Sequence, residues 1–288
     1  SEFLKSILSI VQCQLEEKRY KNISSHYNIA GYKRIYLIHI RKTGGTSLNH
    51  MFLSLGNPDA QSFYQELTRV RGHRLAINGK VFVGWNVRLI NKGNYFYAFS
   101  HTPLHKLKIP ENTFTITCFR DPVKRVISHY HMLMNYLLNN DPRQTMATEG
   151  KWLGNSFDEF IDRIPQEHLM RQLYMFSKDF NVNEAVQSVQ SLSHYFFTEK
   201  FSQGIEELTR KTGLQMQPIH MRKGQKTTEI AEASIIRLKT KLEKEYLFLE
   251  QLRLTIEDRI VNSFITERMF PSHNSNYLNN FMKLMKFN

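Results

Sequence analysis

A nearly continuous apolar run, Ile35–Ile40, is followed within a few residues by two adjacent glycines, Gly44 and Gly45. An apolar run of this length is typical of a β-strand that is buried on both faces. After the glycines, apolar side chains recur at helical spacing, at Leu48, Met51, Phe52 and Leu55. A strand, a tight loop and a helix in this order begin a parallel α/β unit, and this feature constrains the fold more than any other.

Other strand signals are spread along the chain. The dipeptide Asn78-Gly79 separates the apolar runs Leu75–Ile77 and Lys80–Val83, which is a strong hairpin signal. Further strand candidates are Tyr95–Ser100, Phe114–Phe119 and His194–Thr198. Because these strands alternate with helical patterns, we predict a sheet whose strands are mostly parallel.

Helix signals lie between and after these strands. Asp121 is a candidate N-cap with Pro122 at the first helical position, and Gly213 is expected to end the helix that follows the last strand. A long charged amphipathic helix is predicted over roughly Glu229–Arg253. The stretch Asn139–Asn155 is rich in Asn, Asp, Pro and Gly, so we expect a loop there that covers a site.

We therefore predict a single α/β domain over residues 31–270, with a central, mostly parallel sheet flanked by helices. Residues 1–30 are expected to be an N-terminal helical segment, of which residues 1–3 resemble a cloning scar. Its apolar face would carry Leu4, Ile7, Leu8, Val11 and Leu15. Residues 271–288 have weak signals and are expected to form a C-terminal tail.

Composition limits the function classes. The 288 residues are 41% hydrophobic, which is enough for one sizeable core. The formal net charge of +13 points to an anionic partner, such as a nucleotide, a polyanionic sugar, nucleic acid or a membrane surface. The two cysteines, Cys13 and Cys118, exclude a disulfide framework as the main source of stability.

The segment after the first strand has the features of an anion site. Its glycines allow a sharp turn and a close approach of the backbone to a ligand, and it begins a helix whose first N–H groups can bind an anion. Its side chains supply a positive charge and several hydroxyl groups in addition to these backbone donors. The candidate binding residues are Arg41, Lys42, Thr43, Gly44, Gly45, Thr46 and Ser47.

This loop resembles a P-loop without matching the Walker A pattern. That pattern has its lysine after the second glycine, whereas Lys42 precedes both glycines. The segment also lacks the G-x-G-x-x-G fingerprint of dinucleotide-binding folds. We therefore expect a loop that is P-loop-like in function but distinct in sequence.

A second motif, R-D-P-V-K-R-V-I-S, runs from Arg120 to Ser128. Arg120 follows a strand, where an open α/β sheet binds ligands, and Ser128 lies two helical turns further along. Both side chains could reach one phosphate, and a guanidinium pairs well with phosphate oxygens.

Together the two motifs resemble those of the sulfotransferases that use 3′-phosphoadenosine 5′-phosphosulfate (PAPS). The likeness in motif is greatest to the carbohydrate group, which includes the heparan sulfate 2-O- and 6-O-sulfotransferases. That group carries H-I-x-K-T-G-G-T-S at the 5′-phosphosulfate loop and R-D-P-x-x-R-x-x-S at the 3′-phosphate site. Both patterns occur here in that order, as His39–Ser47 and Arg120–Ser128.

The resemblance implies roles for these residues. Lys42 would stabilise the leaving phosphate as a catalytic residue, and the loop up to Ser47 would hold the 5′-phosphosulfate. Arg120 and Ser128 would bind the 3′-phosphate. The triplet Arg222-Lys223-Gly224 resembles an R-K-G triplet of cytosolic sulfotransferases that contacts the 3′-phosphate; the alternative is a solvated loop. No metal is expected, because no set of residues has metal-ligand spacing.

The general base is the least determined part of the site. Members of the resembled group have a catalytic histidine shortly before the R-D-P motif, and His101 matches this position at the end of a predicted strand. A histidine near its ordinary pKa is a suitable base. His105, Glu66 and His73 are the alternatives.

The resemblance implies transfer of a sulfuryl group from PAPS to a hydroxyl group, or to an amine or amide nitrogen, with release of 3′-phosphoadenosine 5′-phosphate (PAP). The acceptor would be a carbohydrate or a small metabolite, and the basic charge would suit an acidic one. Two other functions stay open: phosphoryl transfer from a nucleotide, and non-catalytic binding of polyanions. Nucleic acid is not expected as a partner, and the sequence does not reveal the oligomeric state.

The sequence also predicts a cellular location. No run reaches the ~18 consecutive apolar residues of a transmembrane helix, and no signal peptide is visible. We expect a cytoplasmic enzyme. The alternative is the lumenal domain of a Golgi-type enzyme with its anchor removed.

Overall fold

The computed structural model describes residues 2–216, 219 and 228–269. The predicted phosphate contacts Arg222 and Lys223, and the predicted tail at 271–288, lie outside the described residues.

A six-stranded sheet forms the centre of the fold. Its strands are β1 (Arg34–Ile38), β2 (Arg74–Ile77), β3 (Lys80–Gly84), β4 (Tyr97–Ser100), β5 (Thr113–Phe119) and β6 (His194–Phe197). Their order is β2-β3-β4-β1-β5-β6. The hairpin β2–β3 is antiparallel and every other neighbouring pair is parallel, so the prediction of an α/β fold with a mostly parallel sheet is confirmed.

Helices flank the sheet. The first six are α1 (Glu2–Ser24), α2 (Gly45–Ser54), α3 (Ala60–Arg69), α4 (Val87–Lys92), α5 (Pro122–Leu138) and α6 (Gln144–Glu149). The others are α7 (Phe157–Arg163), α8 (Gln166–Leu169), α9 (Arg171–Tyr174), α10 (Val182–Gln190), α11 (Phe201–Thr212), α12 (Glu232–Lys241) and α13 (Glu243–Met269). Short 3₁₀ segments occur at Arg71–His73, Leu104–Lys106, Gly150–Trp152 and Thr198–Lys200.

Strand β1 is buried on both faces, as its apolar run predicts. Ile35 and Leu37 belong to one core cluster, with apolar residues of α2, α3 and α11. Tyr36 and Ile38 belong to the cluster on the opposite face, with residues of α5, α10 and α13. Successive side chains of a strand point to opposite faces, so a strand between two helical layers needs apolar residues at every position.

Two predicted helix ends are confirmed. The carboxylate of Asp121 accepts a hydrogen bond from the backbone N–H of Lys124 at 2.8 Å, and Pro122 begins α5. Helix α11 ends at Gly213, which has a left-handed φ of 70°. The side-chain cap satisfies one of the N–H groups at the start of α5, and the absence of a Cβ makes the left-handed turn inexpensive.

The loop predicted at Asn139–Asn155 is wrong over its second half. This part forms α6 and a 3₁₀ turn, and Trp152 in that turn is buried against the rings of His129 and His168, with centroids 6.2 and 4.7 Å away. The polar composition concealed these contacts, because they join residues that are distant in sequence.

The long helix predicted at Glu229–Arg253 is instead two helices, α12 and α13. They meet at Leu242, which has φ −100° and ψ 8° and is fully buried. Periodicity cannot detect this break, because Leu242 continues the apolar pattern and leucine is not a helix-breaking residue.

The N-terminal helix α1 forms as predicted, but its apolar stripe is largely exposed. Ile7, Leu8, Val11 and Leu15 are between 40% and 65% exposed. Over the described part of the chain, no helix combines the length and apolarity that crossing a bilayer requires.

The strand order changes direction at the carboxyl ends of β1 and β5, the position where open α/β sheets have a crevice. These strands are neighbours, but the chain leaves β1 towards the β3–β4 side of the sheet and leaves β5 towards β6 on the other side. In open α/β sheets, ligands bind where connections diverge in this way. The segments that follow β1 and β5 are the two motifs singled out in the sequence.

Candidate functional site

The loop after β1 leads directly into a helix N-terminus. Residues 41–44 form a turn with a left-handed φ of 67° at Lys42 and 82° at Gly44, and α2 begins at Gly45. Gly44 supplies no side-chain cap. The first N–H groups of an α-helix have no partner within the helix, so the turn presents backbone donors to an anion.

Both glycines are required by close contacts. A Cβ on Gly45 would lie 2.3 Å from Cδ2 of His39, whose ring is buried beneath the turn. A Cβ on Gly44 would lie 2.8 Å from Cγ2 of Thr198. The backbone of this turn therefore lies closer to its neighbours than any side chain would allow.

The three hydroxyl residues of the loop have different environments. Thr43 is fully buried, and its hydroxyl donates to the carbonyl of Ile40 at 3.0 Å, so this side chain closes the turn. Thr46 is exposed and Ser47 is half-buried, and both lie in the first turn of α2. Their hydroxyls and N–H groups can face one ligand.

The structure brings the two motifs together. Nη1 of Arg120 donates a hydrogen bond to the carbonyl oxygen of Lys42 at 3.1 Å. Burial, followed by the charges of Arg120 and Arg41, lowers the pKa of Lys42 to about 8. An anion at this point would offset that repulsion and restore the full charge of the ammonium group.

Arg120 is held by a buried glutamine that the sequence analysis missed. The side-chain amide of Gln172 pairs with the backbone of Arg120 in both directions, accepting from its N–H and donating to its carbonyl, at 2.9 Å each. Gln172 in turn donates to the carboxylate of Glu245 on α13 from its side chain, at 3.0 Å, and from its backbone, at 2.9 Å. Helices α9 and α13 thus fix the end of β5.

Two further residues of the second motif, Ser128 and Arg125, have different environments. Ser128 is half-buried on α5. Arg125 is 1% exposed, and its Nη2 donates to the carbonyls of His168, at 2.8 Å, and of Leu169. Its Nε lies 3.8 Å from the carboxylate of Glu245. Arg125 therefore has a structural role within the motif.

Arg41 is paired with Glu149, a residue that sequence reasoning did not identify. The guanidinium forms an ion pair with the Glu149 carboxylate, whose other oxygen lies 2.7 Å from Nε2 of His129. Burial alone would raise the pKa of Glu149, but the hydrogen bond from His129 and the charge of Arg41 hold it below its ordinary value. Burial lowers the pKa of His129 to about 4, so its ring is neutral.

His101 lies directly after β4. Its Nδ1 is 2.5 Å from the carbonyl oxygen of His39. A carbonyl can only accept, so Nδ1 carries the proton and Nε2 keeps a free lone pair. Burial, followed by the neighbouring His39, lowers the pKa of His101 well below its ordinary value. Its ring also packs against Trp85, with centroids 4.6 Å apart.

The alternative candidates for the general base, His105, Glu66 and His73, are not bonded to the loop after β1 in the way that His101 is. His105 is exposed, and its Nε2 lies 3.1 Å from the carbonyl oxygen of Tyr174. Glu66 is exposed on α3, and His73 is half-buried in the 3₁₀ segment after α3. Of these candidates, His101 is the one whose ring is bonded to the segment that leads into the loop.

A further cation, Arg171, begins α9 beside His101. Its Nη2 donates to the carbonyl oxygen of His101 at 2.7 Å, and its Nε is buried without a hydrogen-bond partner. Burial, then Arg41 and Arg125, lowers its pKa to about 10. The crevice thus has several cations and a neutral histidine, and the described residues include no cluster of three His, Cys, Asp or Glu that could hold a metal ion.

The chain was compared with known proteins. A family model described as "Sulfotransferase family" matches residues 25–267, which include all six strands and both motifs. No curated protein matches the chain.

We expect the substitution Gly45→Ala to disrupt the turn. The new Cβ would overlap the His39 ring, which is enclosed and cannot move away, so we expect a loss of about 1–3 kcal/mol in the free energy of unfolding. Urea denaturation followed by circular dichroism measures this loss. In the control Gly150→Ala, the Cβ meets only the flexible end of Met146, at 3.1 Å. Equal stability of the two variants would contradict the close packing described for Gly45.

We also expect His101 to stay neutral, with its proton on Nδ1, at pH 6. The carbonyl of His39 holds that proton, and burial disfavours the charged ring. Long-range ¹H–¹⁵N correlation spectra of ¹⁵N-histidine-labelled protein distinguish protonated from bare ring nitrogens, and His101→Gln assigns the signal. A charged ring at pH 6, or a proton on Nε2, would contradict this geometry.

Proposed function

The chain belongs to the sulfotransferase family, and from that premise we propose that it transfers a sulfuryl group from PAPS to a carbohydrate or small-molecule acceptor and releases PAP. The observation that carries this proposal is the hydrogen bond from Arg120 to the carbonyl of Lys42. This bond brings the two motifs together. The sulfuryl donor PAPS carries phosphate groups on both the 3′ and the 5′ position of its ribose, so both motifs must lie close together to bind it. The family favours sulfuryl transfer over phosphoryl transfer and over simple polyanion binding.

We assign the 5′-phosphosulfate to the turn at the start of α2. The N–H groups and hydroxyls of Thr46 and Ser47, with the backbone of Arg41–Gly45, would hold its oxygens, and Lys42 would supply the positive charge. Thr43 would contribute through its backbone, because its hydroxyl already donates to Ile40. The fit is supported by the close contacts at Gly44 and Gly45, which leave backbone rather than side chains facing the crevice.

We assign the 3′-phosphate to Arg120, with Ser128 as a second contact from α5. The fixed backbone of Arg120 supports this role, because Gln172 holds both its N–H and its carbonyl. A guanidinium can pair with two phosphate oxygens, and a 3′-phosphate would distinguish PAPS from ATP. Arg222 and Lys223 remain a proposed further contact outside the described residues.

In the proposed reaction, Nε2 of His101 accepts the proton of the acceptor hydroxyl or nitrogen. The acceptor atom forms a bond to sulfur while the bond between sulfur and the bridging oxygen breaks. The electron pair of that bond goes to the phosphate of PAP, where the Lys42 ammonium stabilises the developing charge. The neutral ring with its proton on Nδ1 supports His101 as the base, since its free lone pair is available at neutral pH. Burial holds the pKa of this ring well below the ordinary value expected from the sequence, so His101 is a weaker base than a free histidine.

The proposed domain comprises residues 31–270, with residues 1–30 as a helical extension and 271–288 as a tail. The match of the family model over residues 25–267 supports these limits.

We expect the protein to bind PAP, and Lys42→Ala and Arg120→Ala to weaken this binding about 10- to 100-fold each, because each removes a charge-assisted contact. Isothermal titration calorimetry measures the dissociation constants. Lys124→Ala is the matched control, since Lys124 belongs to the second motif but is exposed. The proposal fails if the folded wild-type protein binds ATP with Mg²⁺ but not PAP, or if Lys124→Ala weakens PAP binding as much as Arg120→Ala.

We expect PAP affinity to fall as the pH rises above about 8. The pKa of Lys42 is about 8 in the free protein, and a bound anion raises it. Below that pH Lys42 is already charged, so affinity is nearly constant; above it, binding must take up a proton, which costs about tenfold in affinity per pH unit. Calorimetry from pH 7 to 10 measures this slope, and Lys42→Ala should abolish it. A slope that persists in Lys42→Ala would assign the titration to another group.

A further inference from the structure

Arg171 is a half-buried cation beside His101 that the proposed donor site does not use. It lies at the first position of α9, and its Nη2 is committed to the carbonyl of His101. Its Nε is buried and has no hydrogen-bond partner. A buried guanidinium N–H without a partner is costly, because it has lost its water without gaining another acceptor.

The other cations of the crevice have partners within the protein or in the proposed donor. Arg41 pairs with Glu149, and Arg125 lies 3.8 Å from Glu245. Lys42 and Arg120 would face the phosphate and phosphosulfate groups of PAPS. Among residues 2–216 and 228–258, no carboxylate lies within ion-pair distance of Arg171.

Outside residues 2–216 and 228–258, the sequence contains a single acidic side chain, Glu267. Burial together with Arg41 and Arg125 already lowers the pKa of this guanidinium to about 10. A missing anion is the simplest complement to such a group.

We propose that Arg171 binds an anionic group, a carboxylate or a sulfate, of the acceptor, an inference that rests on the proposed sulfuryl transfer. Arg171 is bonded to the residue that carries the proposed base, at the end of β4. The proposed donor contacts instead follow β1 and β5, on Lys42 and Arg120. An oxyanion on Arg171 would therefore lie on the acceptor side of the base, next to the atom that loses its proton.

This assignment makes Arg171 a specificity-determining residue. An acceptor with an acid group near its nucleophilic hydroxyl or nitrogen would pair with this half-buried guanidinium, whereas a neutral analogue would leave its charge without a counter-charge. Sites with buried polar groups reject ligands that cannot pair with them.

The test uses inorganic sulfate as the probe and protein saturated with PAP, which occupies the donor site. Sulfate is titrated by calorimetry at constant ionic strength set with NaCl. We expect the wild-type protein to bind sulfate and Arg171→Gln to bind it about tenfold or more weakly, with Arg171→Lys between them. Arg163→Gln, which alters an exposed arginine paired with Glu159, should match the wild type.

Affinity for PAP is the internal reference. If the wild-type protein does not bind PAP, the proposed function fails. If the wild-type protein binds PAP and Arg171→Gln binds it with an affinity within about twofold, the variant is correctly folded. A difference in sulfate binding then tests Arg171 alone. The inference is overturned if sulfate does not bind to the PAP complex, if Arg171→Gln binds it like the wild type, or if the loss occurs in Lys42→Ala and not in Arg171→Gln. The last result would mean that sulfate occupies the position of the transferred group.

Discussion

The carboxyl edge of the sheet buries more positive charge than the described carboxylates beside it neutralise. Glu149 pairs with Arg41 and Glu245 lies near Arg125, and these carboxylates are placed by two different helices, α6 and α13. Burial, followed by the charges of Arg120 and Arg41, lowers the pKa of Lys42 to about 8. The surrounding fold holds these groups in place, and an anion at the proposed donor site would offset their charge.

The rigidity of the site depends on a chain of hydrogen bonds. The carboxylate of Glu245 on α13 accepts a hydrogen bond from Gln172, and Gln172 donates one to the backbone carbonyl of Arg120. The guanidinium of Arg120 in turn donates to the carbonyl of Lys42. This series of hydrogen bonds therefore connects the C-terminal helix α13 to the loop after β1. Transfer reactions depend strongly on positioning, so such fixation of the binding groups matters as much as their charge.

Much of the fold could be predicted from the sequence, and part of the site. The apolar run in β1, the Asn78-Gly79 hairpin and the Asp121 cap are local signals, since each depends on residues within a few positions. Lys42 and Arg120 were predicted as site residues because each belongs to a short motif that follows a strand. Glu149, Gln172 and Arg171 were missed, because their partners lie far away in sequence and no local pattern marks a residue whose role is to hold another.

The sequence by itself determined the alternation of strands and helices and the glycine turn, because these follow from backbone sterics and hydrophobic periodicity over short stretches. The tertiary structure decided which charges remain unpaired, which nitrogen of His101 carries the proton, and that the segment before Trp152 is a helix instead of a loop. Those properties depend on burial and on distances between groups that the chain brings together only when it folds. Desolvation acts through space, and the order of residues does not record it.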